Sequence, residues 1–346
     1  MGSLLQWFDR SQRVLPWREN KDPYRIWVSE IMLQQTTVKT VLPYYERFLK
    51  KFPTLESLAK SSLDKVLVAW SGLGYYSRGR NLHKAAEILV KEYNGKFPRD
   101  VQELQKLPGI GRYTAGAVAS IAFDEKVPLL DGNVIRVLTR LYALRGDPRK
   151  NPLLEELWGK ADSLLPQKRC GDHNQALMEL GATVCLPREP LCLLCPLNDS
   201  CEGNRLGIAR ELPQKVKKSY HKRYRLITLI ENNGRYLIAR KSAKKLMGRL
   251  WEFPSFDLKN ERIPDSLSRI VEKVLGIRVK NATLIGKISH AIMNERFVVP
   301  VMKCKVVRLR RTTPTQQFYT GFRWIDPKKL AEYPTSSVNR KALGLL

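Results

Sequence analysis

The sequence contains no apolar run that approaches the roughly 18 to 20 residues needed to cross a membrane. Its first residues form a short amphipathic pattern (Leu4, Leu5, Trp7 and Phe8) without the features of a signal or transit peptide. We therefore expect a soluble, intracellular protein that has no membrane partner.

Cysteines are also few, with six in 346 residues, and four of them fall within residues 185–201. Six are too few for a disulfide framework in a chain of this length, which predicts a reducing compartment. We expect the two isolated cysteines, Cys170 and Cys304, to be ordinary buried thiols.

Acidic residues are scarce, with 33 Asp and Glu against 61 Lys and Arg, so the net charge is +28. Positive potential over most of the surface predicts a polyanionic partner. Nucleic acid fits better than a lipid surface, because the basic residues are spread along the chain and not on one amphipathic helix. A charge that serves solubility alone is the simpler alternative.

Residues 1–205 carry the signals of an all-α domain. Apolar residues recur at helical spacing between residues 58 and 90. Asp100 followed by Glu103 predicts a capping box, and Asn151 before Pro152 predicts another helix start. Residues 206–225 are rich in Lys and Arg, and they predict a basic linker, a kind of segment that can lie along a nucleic acid.

The pattern changes after the linker to the alternation typical of strands. Asn232, Asn233 and Gly234 separate two such runs and predict a hairpin turn. Further strands are expected at residues 298–307 and 318–325, with one helix from Ser266 that ends at Gly276. Residues 226–346 are therefore predicted to form a second, α+β domain, which the chain is long enough to support.

The four clustered cysteines are Cys185, Cys192, Cys195 and Cys201, with six, two and five residues between successive members. Zinc sites usually have two closely spaced pairs with a longer gap between them, whereas this spacing winds one segment around a cube-shaped cluster. The pattern favours [4Fe-4S] over zinc. Four unligated core thiols are a poor alternative in a segment rich in Pro, Asp, Asn and Arg.

Two glycine-bearing helix entries follow one another along the chain. In residues 107–112 (Leu-Pro-Gly-Ile-Gly-Arg), Gly109 and Gly111 precede a helix start predicted at Thr114. Glycines there let backbone N–H groups converge on a phosphate, which is a sequence-independent contact with DNA. A plain turn is the alternative. At the second entry, Asp131 precedes Gly132, and a simple N-cap is the alternative to a functional carboxylate.

The order of these pieces resembles the helix-hairpin-helix DNA glycosylases of the endonuclease III superfamily, which are all-helical and bind a [4Fe-4S] cluster. Over essentially its whole length the sequence is similar to the MutY family of adenine DNA glycosylases within that superfamily. The matching segments are residues 15–18, 27–36, 72–76 with Arg78, Arg80 and Asn81, 107–112, 129–134 and 174–181.

This resemblance implies base excision repair, in which adenine opposite 8-oxoguanine or guanine is flipped out of double-stranded DNA and its N-glycosidic bond is hydrolysed. It assigns Glu30 as the acid that protonates adenine N7, which needs a pKa raised by an enclosed site. Asp131 would stabilise or attack the sugar cation, and Tyr113 and Asn133 would orient the sugar and the carboxylates. Without the resemblance, Glu30 on an amphipathic helix would be expected to lie in solvent.

Tyr113 also occupies the position at which the strand-cutting members carry a Schiff-base lysine. The resemblance therefore implies a monofunctional glycosylase that leaves an abasic site. Gln34, Gln35 and Tyr75 match residues that enter the base stack, although packing is an alternative for the tyrosine. Trp17, Arg18 and Glu179 match residues around the flipped adenine.

Residues 226–346 resemble the Nudix-related C-terminal domain of the same family, most clearly at residues 248–254 (Gly-Arg-Leu-Trp-Glu-Phe-Pro). The following helix has only Glu272 as an acid, so we expect no magnesium-dependent pyrophosphate hydrolysis. Where the family recognises 8-oxoguanine through a Phe-Ser-His loop, this chain has Ile288, Ser289 and His290. A strand-end histidine without a lesion contact is the alternative for His290.

Three rival functions follow from parts of the sequence. A bifunctional pyrimidine glycosylase and lyase is disfavoured by Tyr113 and by the second domain. A nucleotide-pool hydrolase is disfavoured by the missing acidic pairs, and a non-catalytic DNA-binding protein by the presence of both Glu30 and Asp131. We expect a monomer that acts on double-stranded DNA.

Overall fold

The computed structural model describes residues 2–214, 219–243, 248–292, 294–309 and 318–346. The chain divides into two compact units. The first contains Met1–Lys60 and Asn81–Lys217, and the second contains Ser61–Arg80 and Lys218–Leu346. None of the described helices is long and apolar enough to span a membrane.

The first unit is helical throughout its described residues, apart from connecting loops. Helix α5 and the start of α6 belong to the second unit, and α6 continues in the first. The helices are α1 (Gly2–Ser11), α2 (Pro23–Leu33), α3 (Val38–Lys51), α4 (Leu55–Ala59), α5 (Leu63–Ala69), α6 (Tyr76–Glu92), α7 (Val101–Gln105), α8 (Arg112–Phe123), α9 (Gly132–Leu141), α10 (Leu153–Ser163), α11 (Cys170–Thr183) and α12 (Glu202–Arg205).

The predicted helix starts are only partly confirmed. Asp100 caps α7 by accepting a hydrogen bond from the Glu103 amide (2.9 Å), but the Glu103 carboxylate accepts from Lys106 and Tyr93, so the capping is one-sided. The start predicted at Pro152 is wrong by one residue, because Pro152 itself occupies the N-cap of α10. Helix α8 begins at Arg112 and not at Thr114, with Gly111 as its N-cap.

Helix α8 is the centre of the first unit, and its residues from Thr114 to Ile121 are all buried. Small side chains allow neighbouring backbones to approach it closely: a Cβ at Gly116 would lie 2.3 Å from the carbonyl oxygen of Pro128. This approach fixes the segment that leads directly into Asp131, the N-cap of α9. The packing of α8 thus positions the entry to α9.

The segment predicted as a basic linker, residues 206–225, has packed residues near its start and part of a strand at its end. Ala209 and Leu212 are buried, and the first strand of the second unit begins at His221. Residues 215–218 lie outside the described part of the chain.

The second unit contains a mixed seven-stranded sheet. The order of its main strands is β3-β2-β1-β6-β5; β4 pairs with β1, and β7 pairs with β2. Only the β1–β6 pair is parallel among the described strands. The strands are β1 (His221–Asn232), β2 (Arg235–Lys241), β3 (Trp251–Glu252), β4 (Ser255–Leu258), β5 (Ile277–Ile292), β6 (Glu295–Leu309) and β7 (Tyr319–Ile325).

The turn between β1 and β2 confirms the predicted hairpin. Asn233 and Gly234 have φ values of 49° and 74°, as a two-residue turn of type I′ requires. The predicted helix is α13 (Leu267–Leu275), which ends at Gly276 with φ 68°. The sheet carries a core on each face, one under α13 with Leu267, Val271 and Leu275 and the other under α14 (Ser337–Leu343).

Candidate active site

A cavity of about 820 Å³ lies within the first unit, large enough for a nucleoside. Helices α2, α8, α9 and α11 and the loop before α2 contribute its walls. Its lining includes nine residues that the sequence assigned to chemistry or to base contact: Trp17, Arg18, Glu30, Gln34, Gln35, Tyr113, Asp131, Asn133 and Glu179.

Glu30 is 5% exposed, so the expectation of a solvated glutamate is wrong and that of an enclosed one is confirmed. Its position follows from α2, which is buried almost continuously from Ile26 to Met32. Burial raises the pKa of Glu30 to about 7; the Tyr113 hydroxyl and the Arg18 charge act against that rise, and the Asp131 charge adds to it. The carboxyl group therefore holds a proton below neutral pH.

Tyr113 is the second residue of α8, immediately after the glycine hairpin. Its hydroxyl donates a short hydrogen bond to Glu30 and also lies 3.7 Å from the Met178 sulfur. Burial raises the pKa of Tyr113, and the nearby Glu30 and Asp131 charges raise it further. The phenol thus stays neutral and fixes one oxygen of the Glu30 carboxyl group.

Asp131 is the N-cap of α9 and also lines the cavity, so its role as an N-cap is compatible with a role as a functional carboxylate. Its Oδ1 accepts from the amides of Asn133 (2.9 Å) and Val134 (2.7 Å), and its Oδ2 accepts from Asn133 Nδ2 (2.9 Å). Burial raises the pKa of Asp131, and the hydrogen bonds from Val134 and Asn133 and the Arg136 charge offset only part of that rise. The three donors and the helix N-terminus favour the carboxylate form.

Glu179 lies on α11, with its side chain buried and held by two arginines. Arg13 Nε and Nη2 donate to its two oxygens (2.6 and 2.8 Å), and Arg18 Nη2 donates to Oε2 (3.0 Å). Burial alone would raise the pKa of Glu179, but the hydrogen bonds from Arg13 and the Arg18 charge outweigh it and lower the pKa. Sequence analysis missed Arg13, which lies 166 positions away from its partner.

Arg136 is a second residue that sequence analysis missed. Its Nη2 donates to Asn133 Oδ1 (2.9 Å) and to the Gly181 carbonyl (2.6 Å), and its Nε donates to the Cys185 carbonyl (2.8 Å). A Cβ at Gly181 would lie 2.6 Å from that of Asn133, so only glycine allows α11 to come this close. The guanidinium therefore connects the Asp131–Asn133 pair to the first cysteine of the cluster segment.

The hairpin glycines do not line the cavity. Gly109 has φ 80°, and a Cβ there would lie 2.7 Å from the Asn81 Cβ. Gly111 is the N-cap of α8 and makes no side-chain hydrogen bond to the helix, and the space where its Cβ would be is open. This arrangement allows a phosphate to approach the backbone N–H groups at the start of α8. Arg112 has a different role, because it stacks on Trp158 (4.0 Å) and pairs with Glu155.

The residues assigned to the base stack lie in two places. Gln34 and Gln35 follow the end of α2; Gln34 donates to Thr114 (3.2 Å), and Gln35 is exposed with φ 57°. Tyr75 does not line the cavity and belongs to the second unit. The residue is 45% exposed, and its backbone φ is 44°.

The three residues assigned to the lesion loop lie in a strand and not in a loop, which corrects the prediction. Within β5, Ser289 pairs with Val298 and His290 with Phe297. Ile288 packs into the sheet core, Ser289 is exposed and His290 is half-buried. Ile288 thus replaces the family's aromatic residue with an aliphatic one that contributes to the core.

The four clustered cysteines line one mostly apolar cavity, after the end of α11. Within the described residues, no three His, Cys, Asp or Glu side chains converge as closely as a single metal ion requires. Four thiol side chains around one cavity are a donor set that fits an iron-sulfur cluster. Cys170 and Cys304, by contrast, are buried elsewhere, as predicted.

Arg140 joins this segment to α9. Its guanidinium is buried and donates to the carbonyls of Leu212 (2.8 Å), Leu186 (2.7 Å) and Pro187 (3.2 Å) and to the Cys185 sulfur (3.3 Å). Arg140 thus holds the backbone that follows Cys185 and contacts the Cys185 sulfur.

Arg140→Gln is expected to lower the free energy of unfolding by about 3 kcal/mol, because buried carbonyls lose their donors. It is also expected to lower the iron content per chain. Chemical denaturation and iron analysis measure the two effects. Arg149→Gln, at an exposed arginine paired with Asp147, is the control. Unchanged stability and iron content in Arg140→Gln would contradict the role of Arg140 in holding the cysteine segment.

The sequence matches the family model of the HhH-GPD superfamily base excision DNA repair proteins over residues 28–162 and that of the NUDIX domain over residues 226–345. It is 34% identical over 395 residues to the adenine DNA glycosylase of Rattus norvegicus, covering 98% of this chain and 76% of that protein.

Two solved structures resemble the helical part. A thermostable thymine-DNA glycosylase is 31% identical, with a TM-score of 0.54 over 59% of this chain and 94% of its own. A non-covalent endonuclease III–DNA complex is 25% identical, with a TM-score of 0.51 over 60% of this chain and 94% of that one. Together with the rat relative, these similarities show that the chain belongs to the adenine DNA glycosylase family of base excision repair proteins.

Proposed function

We propose that the protein removes adenine mispaired with 8-oxoguanine or guanine in double-stranded DNA, hydrolysing the N-glycosidic bond and leaving an abasic site. The observation that carries the proposal is one cavity with two carboxyl groups in different environments. Glu30 is buried with a pKa raised to about 7, whereas burial raises the pKa of Asp131 against the opposition of three hydrogen bonds that favour its carboxylate form. Glycosidic bond hydrolysis needs one acid and one anion.

Glu30 acts first in this proposal, as the general acid. It transfers its proton to N7 of the flipped adenine, and the C1′–N9 bond breaks with its electron pair leaving on the base. Tyr113 keeps the acid oriented through its hydroxyl. Glu179 does not compete for the role, because Arg13 and Arg18 hold it as a carboxylate suited to accept hydrogen bonds from the base.

Asp131 stabilises the sugar cation that remains. Water then adds to C1′, and its proton returns to the Glu30 carboxylate, which restores the starting state of the enzyme. Asn133 fixes the orientation of Asp131, and Arg136 in turn fixes Asn133.

A [4Fe-4S] cluster bound by Cys185, Cys192, Cys195 and Cys201 would supply structural support to the segment that holds it, and no bond-making step. The cysteine segment is tied to the active site through the contacts of Arg136 and Arg140 with Cys185. We propose that its role is to hold α9, and with it Asp131, in place.

Tyr113 supports hydrolysis without strand cleavage. A lysine nucleophile at this position would open the sugar ring through a Schiff base and lead to β-elimination. The Tyr113 hydroxyl instead donates a hydrogen bond to Glu30, and a phenol cannot form a Schiff base because it has no amine.

The proposed contacts with 8-oxoguanine are made by two residues of β5, Ser289, which is exposed, and His290, which is half-buried. Burial and the nearby Lys341 charge lower the pKa of His290, so it is a neutral hydrogen-bonding group at physiological pH.

One substrate panel tests the proposal. The protein is incubated with a duplex that holds adenine opposite 8-oxoguanine, with a duplex that holds an oxidised pyrimidine, and with 8-oxo-dGTP. We expect base loss from the first duplex only, and strand breaks only after alkali or heat. Strand breaks without that treatment, or turnover of either other substrate, would contradict the proposal.

A further inference from the structure

Residues 61–80 pack with the sheet in the second unit, although they lie within the span of the helical family match. Three side chains make the connection. Arg240 donates to Asp64 (2.8 Å), Arg80 donates to the Gly248 carbonyl (3.3 Å), and Arg340 of α14 donates to the Ser71 hydroxyl (2.6 Å).

A further contact between the same segments surrounds the backbone carbonyl of Thr335, a residue with 0% exposure. This oxygen accepts hydrogen bonds from Ser71 Oγ (2.8 Å) and from the Tyr76 hydroxyl (2.5 Å), so both of its lone pairs are used. Ser71, in the loop before α6, and Tyr76, the first residue of α6, are thus anchored to a single point just before α14.

Tyr75, the neighbour of Tyr76, has the opposite environment. Its ring is 45% exposed, and its φ of 44° is in the left-handed region that non-glycine residues rarely adopt. The Arg78 guanidinium lies between the Tyr75 ring (5.5 Å) and the buried Trp70 ring (5.6 Å). Tyr75, with a strained backbone and an exposed side chain, is therefore directly next to Tyr76, whose side chain is anchored.

We propose that the Thr335 carbonyl, through Tyr76 and Ser71, is a positioning site that holds Tyr75 ready to stack beside the lesion. This inference rests on the proposed function, because it assumes that Tyr75 enters the base stack. The Nudix-like residues 226–346 then do more than contact 8-oxoguanine, since Thr335 also sets the conformation of a stacking residue that lies more than 200 positions before it in the sequence.

The consequence is that Tyr76→Phe, which removes only a hydroxyl group, weakens recognition of the lesion. We expect its Kd for a lesion duplex to rise about three- to tenfold, the range of one buried hydrogen bond. Ser71→Ala, which removes the second donor to the same carbonyl, is expected to act in the same direction.

The test is a double-mutant cycle on Kd with the variants Tyr75→Ala, Tyr76→Phe and the double variant. The probe is a duplex with 2′-fluoro-2′-deoxyadenosine opposite 8-oxoguanine, because the fluorine disfavours the sugar cation and preserves the substrate. If Tyr76 acts through Tyr75, Tyr76→Phe changes Kd less than about twofold in the Tyr75→Ala background.

Tyr24→Phe is the matched control, because the Tyr24 hydroxyl also donates to a backbone carbonyl, that of Phe52 (2.7 Å), away from the proposed stacking loop. It is expected to lower thermal stability and leave Kd unchanged. An equal effect of Tyr76→Phe in both backgrounds would overturn the inference alone. An unchanged Kd in Tyr75→Ala would overturn both the inference and the stacking role proposed for Tyr75.

Discussion

Glu30→Gln is expected to lower the single-turnover rate of adenine excision by about a thousandfold. The amide has nearly the shape of the carboxyl group and still accepts a hydrogen bond from Tyr113, but it has no acidic proton to give to adenine N7. Rapid-quench assays on a duplex with adenine opposite 8-oxoguanine measure the rate. A variant that keeps more than a tenth of the parent rate would contradict the role of Glu30 as the acid.

The stability of the same variant tests its folding and the environment of Glu30 together. Burial raises the folded-state pKa of Glu30 from 4.5 to about 7, so its contribution to stability is full below pH 4.5 and is lost as pH rises through 7. Glutamine removes this dependence. We therefore expect Glu30→Gln to be more stable than the parent above pH 7, by about 3 kcal/mol at most, and to show no such gain at pH 4.

Asp131→Asn is expected to lower the excision rate by about 10²- to 10³-fold, because the charge that stabilises the sugar cation is lost. Asparagine is itself a good N-cap, so α9 and its first-turn hydrogen bonds are expected to remain. The excision rate and the far-ultraviolet circular dichroism of the variant separate the two effects.

Asp326→Asn is the matched control for Asp131→Asn. Asp326 also caps a helical segment, by accepting from the Lys328 amide (2.8 Å), and does not line the active-site cavity. We expect it to retain the parent rate. If Asp131→Asn also retained that rate, Asp131 would be a structural N-cap and nothing more.

The local features of the fold were predictable from sequence, because they depend on nearby residues. The hairpin at Asn233 and Gly234 and the C-terminus of α13 at Gly276 both require a positive φ, and the residue types indicate it. Strand β5 was missed, because Lys280, Asn281 and Lys287 interrupt its apolar alternation. Its pairing with β6 along most of its length, and not its own composition, makes it a strand.

The burial of Glu30 had a signal in the sequence that periodicity alone did not use. Residues 26–33 (Ile-Trp-Val-Ser-Glu-Ile-Met-Leu) are apolar on every side of a helix apart from Ser29 and Glu30. A helix that is apolar all round is buried, so a carboxyl group within it must be enclosed. The family resemblance reached the same residue by another route.

Arg13 and Arg136 could not be found in this way. Their importance comes from partners distant in sequence, Glu179 for Arg13 and Cys185 for Arg136, and a surface arginine is common in a chain with 61 basic residues. The packing of α11 against α1 brings Arg13 to Glu179, and the packing of α11 against α9 brings Arg136 to Cys185.

The most direct test of the account is the pH dependence of the single-turnover rate of adenine excision by the parent protein between pH 6 and 9. With Glu30 as the acid, the rate is expected to fall as pH rises through about 7, approaching a tenfold loss for each further pH unit. A rate that stays level or rises over this interval would contradict the claim that a protonated Glu30 drives the reaction.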